Sequence, residues 1–207
     1  MINDLWYYQL LDLPLLPDYL KSKFDQLIEQ TLLGMPENVY LPQSPRESDG
    51  YINHVQYKDF TETLTGYIVY HELTAEFDQW VKENVSKQFN RAKFSIHHGE
   101  IAPPHTDYLR DFGINYIHVL GGNDVKTVWY QEEGFPIVRN GRCRQPDYQR
   151  LSILKEVVLP ANQWHVLRTD ILHSVENLQS NRIRISVDID RATVTDLESY
   201  FIKEKNE

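Results

Sequence analysis

From about Ala92 onward, short stretches rich in β-branched and aromatic residues alternate with polar or glycine-containing breaks at near-regular spacing. Residues 92–98, 101–108, 112–120, 125–131, 151–159, 163–168, 171–176 and 182–190 each read as a strand. Gly121-Gly122-Asn123-Asp124 reads as a hairpin turn between two of them. Strands in such number, with few helices between them, predict an antiparallel barrel or jelly roll. The first 90 residues differ. Trp6 to Leu11 reads as a strand, and Asp18 to Leu33 as a helix opened by Pro17-Asp18 and closed by Gly34. Its apolar stripe is Leu20, Phe24, Leu27 and Ile28. Residues 34–50 hold three prolines and read as loop. Thr74 to Val85 reads as a second amphipathic helix, with Thr74 as N-cap and Phe77, Trp80 and Val81 buried. Thr195-Asp196-Leu197-Glu198 has capping-box form and predicts a last short helix. The expectation is one domain over 1–207, mainly β with flanking helices (α+β). Residues 1–90 would support a core at 92–190, and 195–207 would form a helical tail.

The last strand has the cleanest alternation. Arg182, Arg184, Ser186, Asp188 and Asp190 share one face, and Ile183, Ile185, Val187 and Ile189 the other. A central strand with two arginines on one face needs an interior that accepts cations. A lumen that holds an anionic ligand meets that need.

His105-Thr106-Asp107 sets an imidazole and a carboxylate two residues apart, on one side of an extended segment. A second imidazole completes a facial set of ligands that leaves adjacent positions open on iron(II). His173 is the preferred third ligand; His165 is the alternative, with Arg184 then nineteen residues further on. Ten residues separate His173 from Arg184-Ile185-Ser186. A guanidinium in that place suits the distal carboxylate of a dicarboxylate, which it binds through two parallel hydrogen bonds. Ser186 adds a hydroxyl on the same face, and Arg182 shares that face as the alternative cation.

In this order the pieces resemble the 2-oxoglutarate and iron(II)-dependent dioxygenase superfamily. The likeness spans roughly residues 92–190. Gly99 is similar to the glycine that leads into the His-x-Asp motif of prolyl-hydroxylase-like members. Residues 115–119 and 127–130 are similar to the next two strands of small phage and bacterial members, and residues 173–177 to the surroundings of the distal histidine. The resemblance implies a double-stranded β-helix and iron(II) on His105, Asp107 and His173. It also implies 2-oxoglutarate as cosubstrate with its 5-carboxylate on Arg184, and hydroxylation or oxidative demethylation with release of succinate and carbon dioxide. Ile96 stands where prolyl-hydroxylase-like members often carry a tyrosine that reaches the cosubstrate. That departure leaves Asn115 or Tyr130 as helpers. In this superfamily the insert at residues 132–150 often takes part in substrate binding. Arg139, Arg142, Arg144 and Arg150 cluster there and lead us to expect a polar or anionic small-molecule or peptide substrate. His97, His98 and His118 read as structural or as neighbours that support the ligands.

Composition narrows the alternatives. The net charge of −9 argues against duplex nucleic acid as a partner. Cys143, the single cysteine, excludes an intrachain disulfide and a multi-cysteine metal site, and reads as a bystander thiol. No apolar run approaches ~20 residues and no signal peptide is read at the N-terminus, so the expected location is cytoplasmic. Two further readings stay open: a cupin-like metal enzyme that does not use 2-oxoglutarate, and a non-catalytic barrel that binds a ligand or partner. Neither substrate nor oligomeric state is legible.

Overall fold

The computed structural model describes residues 6–34, 51–58, 64–86, 88–89, 91–99, 102–107, 110–139 and 146–189. The loop expected after Gly34, the helix expected after Thr195, Cys143, Arg142 and Arg144 lie outside them.

The elements in chain order are β1 (Tyr8–Leu10), α1 (Asp18–Gly34), β2 (Tyr51–Lys58), β3 (Leu64–Glu72), α2 (Ala75–Asn84), β4 (Arg91–Gly99), β5 (Ala102–His105), β6 (Phe112–Val119), β7 (Lys126–Glu132), β8 (Leu151–Val158), β9 (Trp164–Arg168), β10 (Leu172–Glu176) and β11 (Arg182–Asp188). All eight strands expected from residue 92 onward form. Strands β2 and β3 were not expected. They widen one sheet beyond β4, so strand structure begins well before Ala92.

The strands make two antiparallel sheets. The larger runs β1-β9-β6-β11-β4-β3-β2 and the smaller β5-β10-β7-β8. From β4 onward, early strands pair with late ones in reverse order: β4 with β11, β5 with β10, β6 with β9 and β7 with β8. This is the pattern of one long hairpin, rolled so that β6 also meets β11 and β7 also meets β10. Strands β6 and β7 therefore belong to different sheets. Gly121 to Asp124 is a crossing between sheets and not the expected hairpin turn. Gly121 has φ +87°, and a Cβ there would sit 3.0 Å from Arg182 Cβ, Leu178 Cδ2 and the Ser180 carbonyl. Its own carbonyl accepts from Gln179 and Ser180 N–H (2.8 and 2.9 Å), which pins the crossing to the start of β11.

Both helices lie on one face of the larger sheet. Leu20, Phe24 and Ile28 of α1, Phe77 and Val81 of α2, and Val85 just past its end join Phe94, Ile96, Ile114, Ile183, Ile185 and Val187 in one core. The Phe24 ring meets Phe77 and Phe94 edge-on, at 6.1 and 5.3 Å between centroids. Trp80 is only partly buried and stacks on Trp164. Thr74 has the extended backbone of an N-cap, but its hydroxyl makes no capping bond. The helices thus absorb the isoleucine face of β11. The opposite face, with Arg182, Arg184 and Ser186, turns towards the smaller sheet.

Candidate metal centre

Antiparallel pairing sets His105, the last residue of β5, in register with His173 on β10. Side chains at paired positions of neighbouring strands lie on one face. Their rings come within 4.5 Å, tilted at 45°. Asp107 follows just past the strand end, where its N–H donates to the Thr169 carbonyl at 2.8 Å. Its Oδ1 lies 3.7 Å from His105 Nε2, too long for a hydrogen bond. One ligand atom from each of His105, Asp107 and His173 lies within 4.8 Å of the others. Facial donors each about 2.1 Å from a shared ion are about 3.0 Å apart, so the set draws inward when it closes on an ion.

The neighbours set the charge and orientation of these groups. His173 Nδ1 donates to the Ile171 carbonyl at 2.9 Å, which fixes the tautomer and turns the Nε2 lone pair outward. Burial, then the His105 imidazole, push His173 down to about 4, so it is neutral at pH 7. Burial alone would raise Asp107. The Arg110 guanidinium and the two imidazoles overcome it and hold the carboxyl well below the usual carboxylate range. Arg110 binds Asp107 Oδ2 through Nε (2.8 Å) and Nη2 (2.6 Å). Oδ1, the oxygen nearer His105, takes no part in those two contacts. Two imidazoles and a carboxylate are a donor set that suits iron(II), so the residues present fit the ion expected from the sequence.

Behind this group the inner face of the larger sheet is polar. Arg184 Nε donates to Ser95 Oγ at 3.1 Å, and Ser186 Oγ to Asn115 Oδ1 at 2.9 Å. Arg182 pairs in register with His97, and His165 with Asn115. Several buried polar atoms here have no hydrogen-bond partner among the described residues: both ring nitrogens of His97, Nε2 of His165 and Nη1 of Arg182. Arg182 is only 2% exposed. Burial, then Arg184, lower its guanidinium to about 9. Burial, then Arg182, bring His165 down to about 3. Burial followed by Arg184, Arg182 and His105 hold His97 well below its ordinary value. The field of Arg184 also reaches His173, so the arginines and the metal group share one interior.

Some expected residues stand elsewhere. His165 lies on the larger sheet and is outside the group formed by His105, Asp107 and His173. Tyr130 faces away from them: on β7 it is the neighbouring Trp129 that shares a core with Ile117 and Leu167. Tyr130 clusters instead with Val128 and Leu172, and its hydroxyl bonds Ser174 and Glu176. Alternation along the strand separates Tyr130 from His173, so it is no helper for a cosubstrate. Asn115 is on the inner face, but its amide oxygen is engaged by Ser186. In the insert, Arg139 is bound to the buried Glu132 at 2.5 Å, and Arg150 donates to the Glu133 carbonyl at 2.6 Å. Those two contacts tie the described parts of the insert together. His118 is structural as expected, bonded to Asp25 of α1 at 2.7 Å.

Sequence reasoning missed Arg110, Thr169 and Ile171. Arg110, three residues after Asp107, was within reach of a charge-spacing argument. The two carbonyl contacts depend on long-range pairing. No protein-family model and no curated protein matches this chain.

Proposed function

We propose that this protein is a non-haem iron(II) oxygenase that uses 2-oxoglutarate, and that its two sheets are the halves of a double-stranded β-helix. The reverse-order pairing of β4–β7 with β8–β11 supports the fold reading, because a rolled hairpin of eight strands is the jelly-roll pattern. The functional reading is carried by one observation. His105, Asp107 and His173 converge from distant parts of the chain, inside an interior whose other wall carries two guanidiniums.

His105, Asp107 and His173 would hold iron(II). With 2-oxoglutarate and dioxygen, that ion supplies an oxidative decarboxylation to succinate and carbon dioxide, coupled to insertion of one oxygen atom into a substrate C–H bond. The chain's residues bind and orient. Arg184 is tethered to Ser95 through Nε, which leaves its remaining N–H groups for a carboxylate. Arg182 adds an Nη1 that has no hydrogen-bond partner among the described residues. Together they favour the dicarboxylate over a neutral keto compound. Trp129, Ile117 and Leu167 are buried between the sheets and limit water there.

Succinate release tests the reading. Protein supplied with iron(II), ascorbate, 2-oxoglutarate and dioxygen should form succinate slowly even without a prime substrate, and the D107A variant should form none. Metal binding without 2-oxoglutarate turnover would instead mark a cupin-like enzyme of other chemistry.

A further inference from the structure

The segment from the end of β9 to the start of β10, residues 168–171, is tied down at nearly every polar group. Arg168 N–H donates to the Tyr7 carbonyl (2.8 Å), and the Arg168 carbonyl accepts from Trp129 Nε1 (2.9 Å). Thr169 N–H donates to the Asp111 carbonyl (2.9 Å). The Asp170 carbonyl accepts from Arg139 N–H (2.8 Å), and Val138 forms a bridge with Ile171. Two carbonyls remain, and both go to the metal group: Thr169 to Asp107 N–H, and Ile171 to His173 Nδ1. Within the segment, the Arg168 guanidinium grips the Asp170 carboxylate with two parallel bonds, 2.7 and 2.6 Å. Both side chains are almost fully buried, and the guanidinium lies 5.4 Å from the Trp6 ring centre.

We propose that Arg168 and Asp170 are positioning residues for the metal centre. Their ion pair fixes the shape of a four-residue segment whose carbonyls aim Asp107 and His173 at one point. The inference rests on the metal reading above and goes beyond it. It says which residues outside the ligand set decide how well that set binds. A forked, buried pair one residue from each of the two carbonyls is well suited to this role. It transmits no charge to the ligands, only geometry. Val138 and Arg139 of the insert join the same unit.

Cobalt(II) is the probe, because its affinity and its visible d–d bands report ligand geometry independently of turnover. Removing one partner alone leaves a buried charge and endangers the fold, so R168M and D170L are made together. R168K, which keeps the charge but not the fork, is the second variant. The double variant should keep the parent's far-ultraviolet circular dichroism. It should bind cobalt(II) about 10- to 100-fold more weakly, the loss usual for partners outside the ligand set, with altered d–d bands. R168K should fall between, and D170E with native Arg168 should recover part of the loss. Parent-like affinity and spectrum in a folded variant overturn the inference and leave the metal reading standing. Loss of fold in both R168K and the double variant also overturns it, since the pair would then determine the fold and not the site. A parent protein that binds no cobalt(II) defeats the metal reading itself.

Discussion

Asp107 carries its charge because Arg110 and two imidazoles outweigh its burial. Replacing Arg110 with methionine should raise the proton affinity of Asp107 and weaken metal binding more at acidic than at neutral pH. A cobalt(II) titration at two pH values checks this, and equal weakening at both contradicts it. Under the proposed function, Arg182 and Arg184 of β11 divide one task. R184M and R182M should each raise the KM for 2-oxoglutarate by at least about tenfold, since losing a charge-assisted bond costs about 1.5–3 kcal/mol. Tyr130 is the control, because its hydroxyl is spent on Ser174 and Glu176 on the opposite face of the smaller sheet. Y130F should leave cobalt(II) affinity and 2-oxoglutarate KM unchanged, and a change in either refutes that placement. At this scale the convergence of His105, Asp107 and His173 was legible because His-x-Asp is local and His173 stands at a set distance from Arg184. Tyr130 was misplaced because spacing alone does not say which face of β7 looks inward.

At the level of elements, period and register decide. The alternation in β11 predicted two unlike faces, and the helices cover the apolar one. The expected strands from residue 92 onward formed because each has its own β-branched or aromatic run between turn residues. Strands β2 and β3 were passed over although Tyr67-Ile68-Val69-Tyr70 is a β-prone run. They lack a motif to anchor the reading, and their place depends on pairing with β4. The Gly121 crossing was read as a hairpin because turn residues report a change of direction and not which sheet the chain enters next. Its positive φ and its close neighbours predict that G121A lowers stability by about 1–3 kcal/mol, measured by urea unfolding. A loss below about 0.5 kcal/mol would mean that the crossing adapts at little cost.

Across the whole molecule, the larger sheet has two unlike sides. Its helix side is a conventional apolar core, and its inner side buries His97, His165, Arg182 and Ser186. Such an interior suits a ligand better than it suits folding, and stability should report the strain. His97 and His165 are held neutral in the folded state, whereas unfolded imidazoles take up protons below about pH 6.5. The unfolded chain therefore binds more protons in acid. Stability should fall as pH drops below about 6.5, by up to about 1.4 kcal/mol per pH unit for each histidine, until the folded groups begin to titrate. For His165 that point is about 3. Urea midpoints from about pH 7.5 to about pH 5 check this, and H165L should flatten the slope. A midpoint independent of pH would show that these imidazoles are not held neutral.

Anaerobic titration of the protein with iron(II) and 2-oxoglutarate, followed by visible absorption, tests the central claim most directly. A weak metal-to-ligand charge-transfer band should grow to one equivalent of each and be absent from H173A. R184M should require more 2-oxoglutarate to reach the same intensity. No band from the parent protein at saturating iron(II) and 2-oxoglutarate would contradict the account.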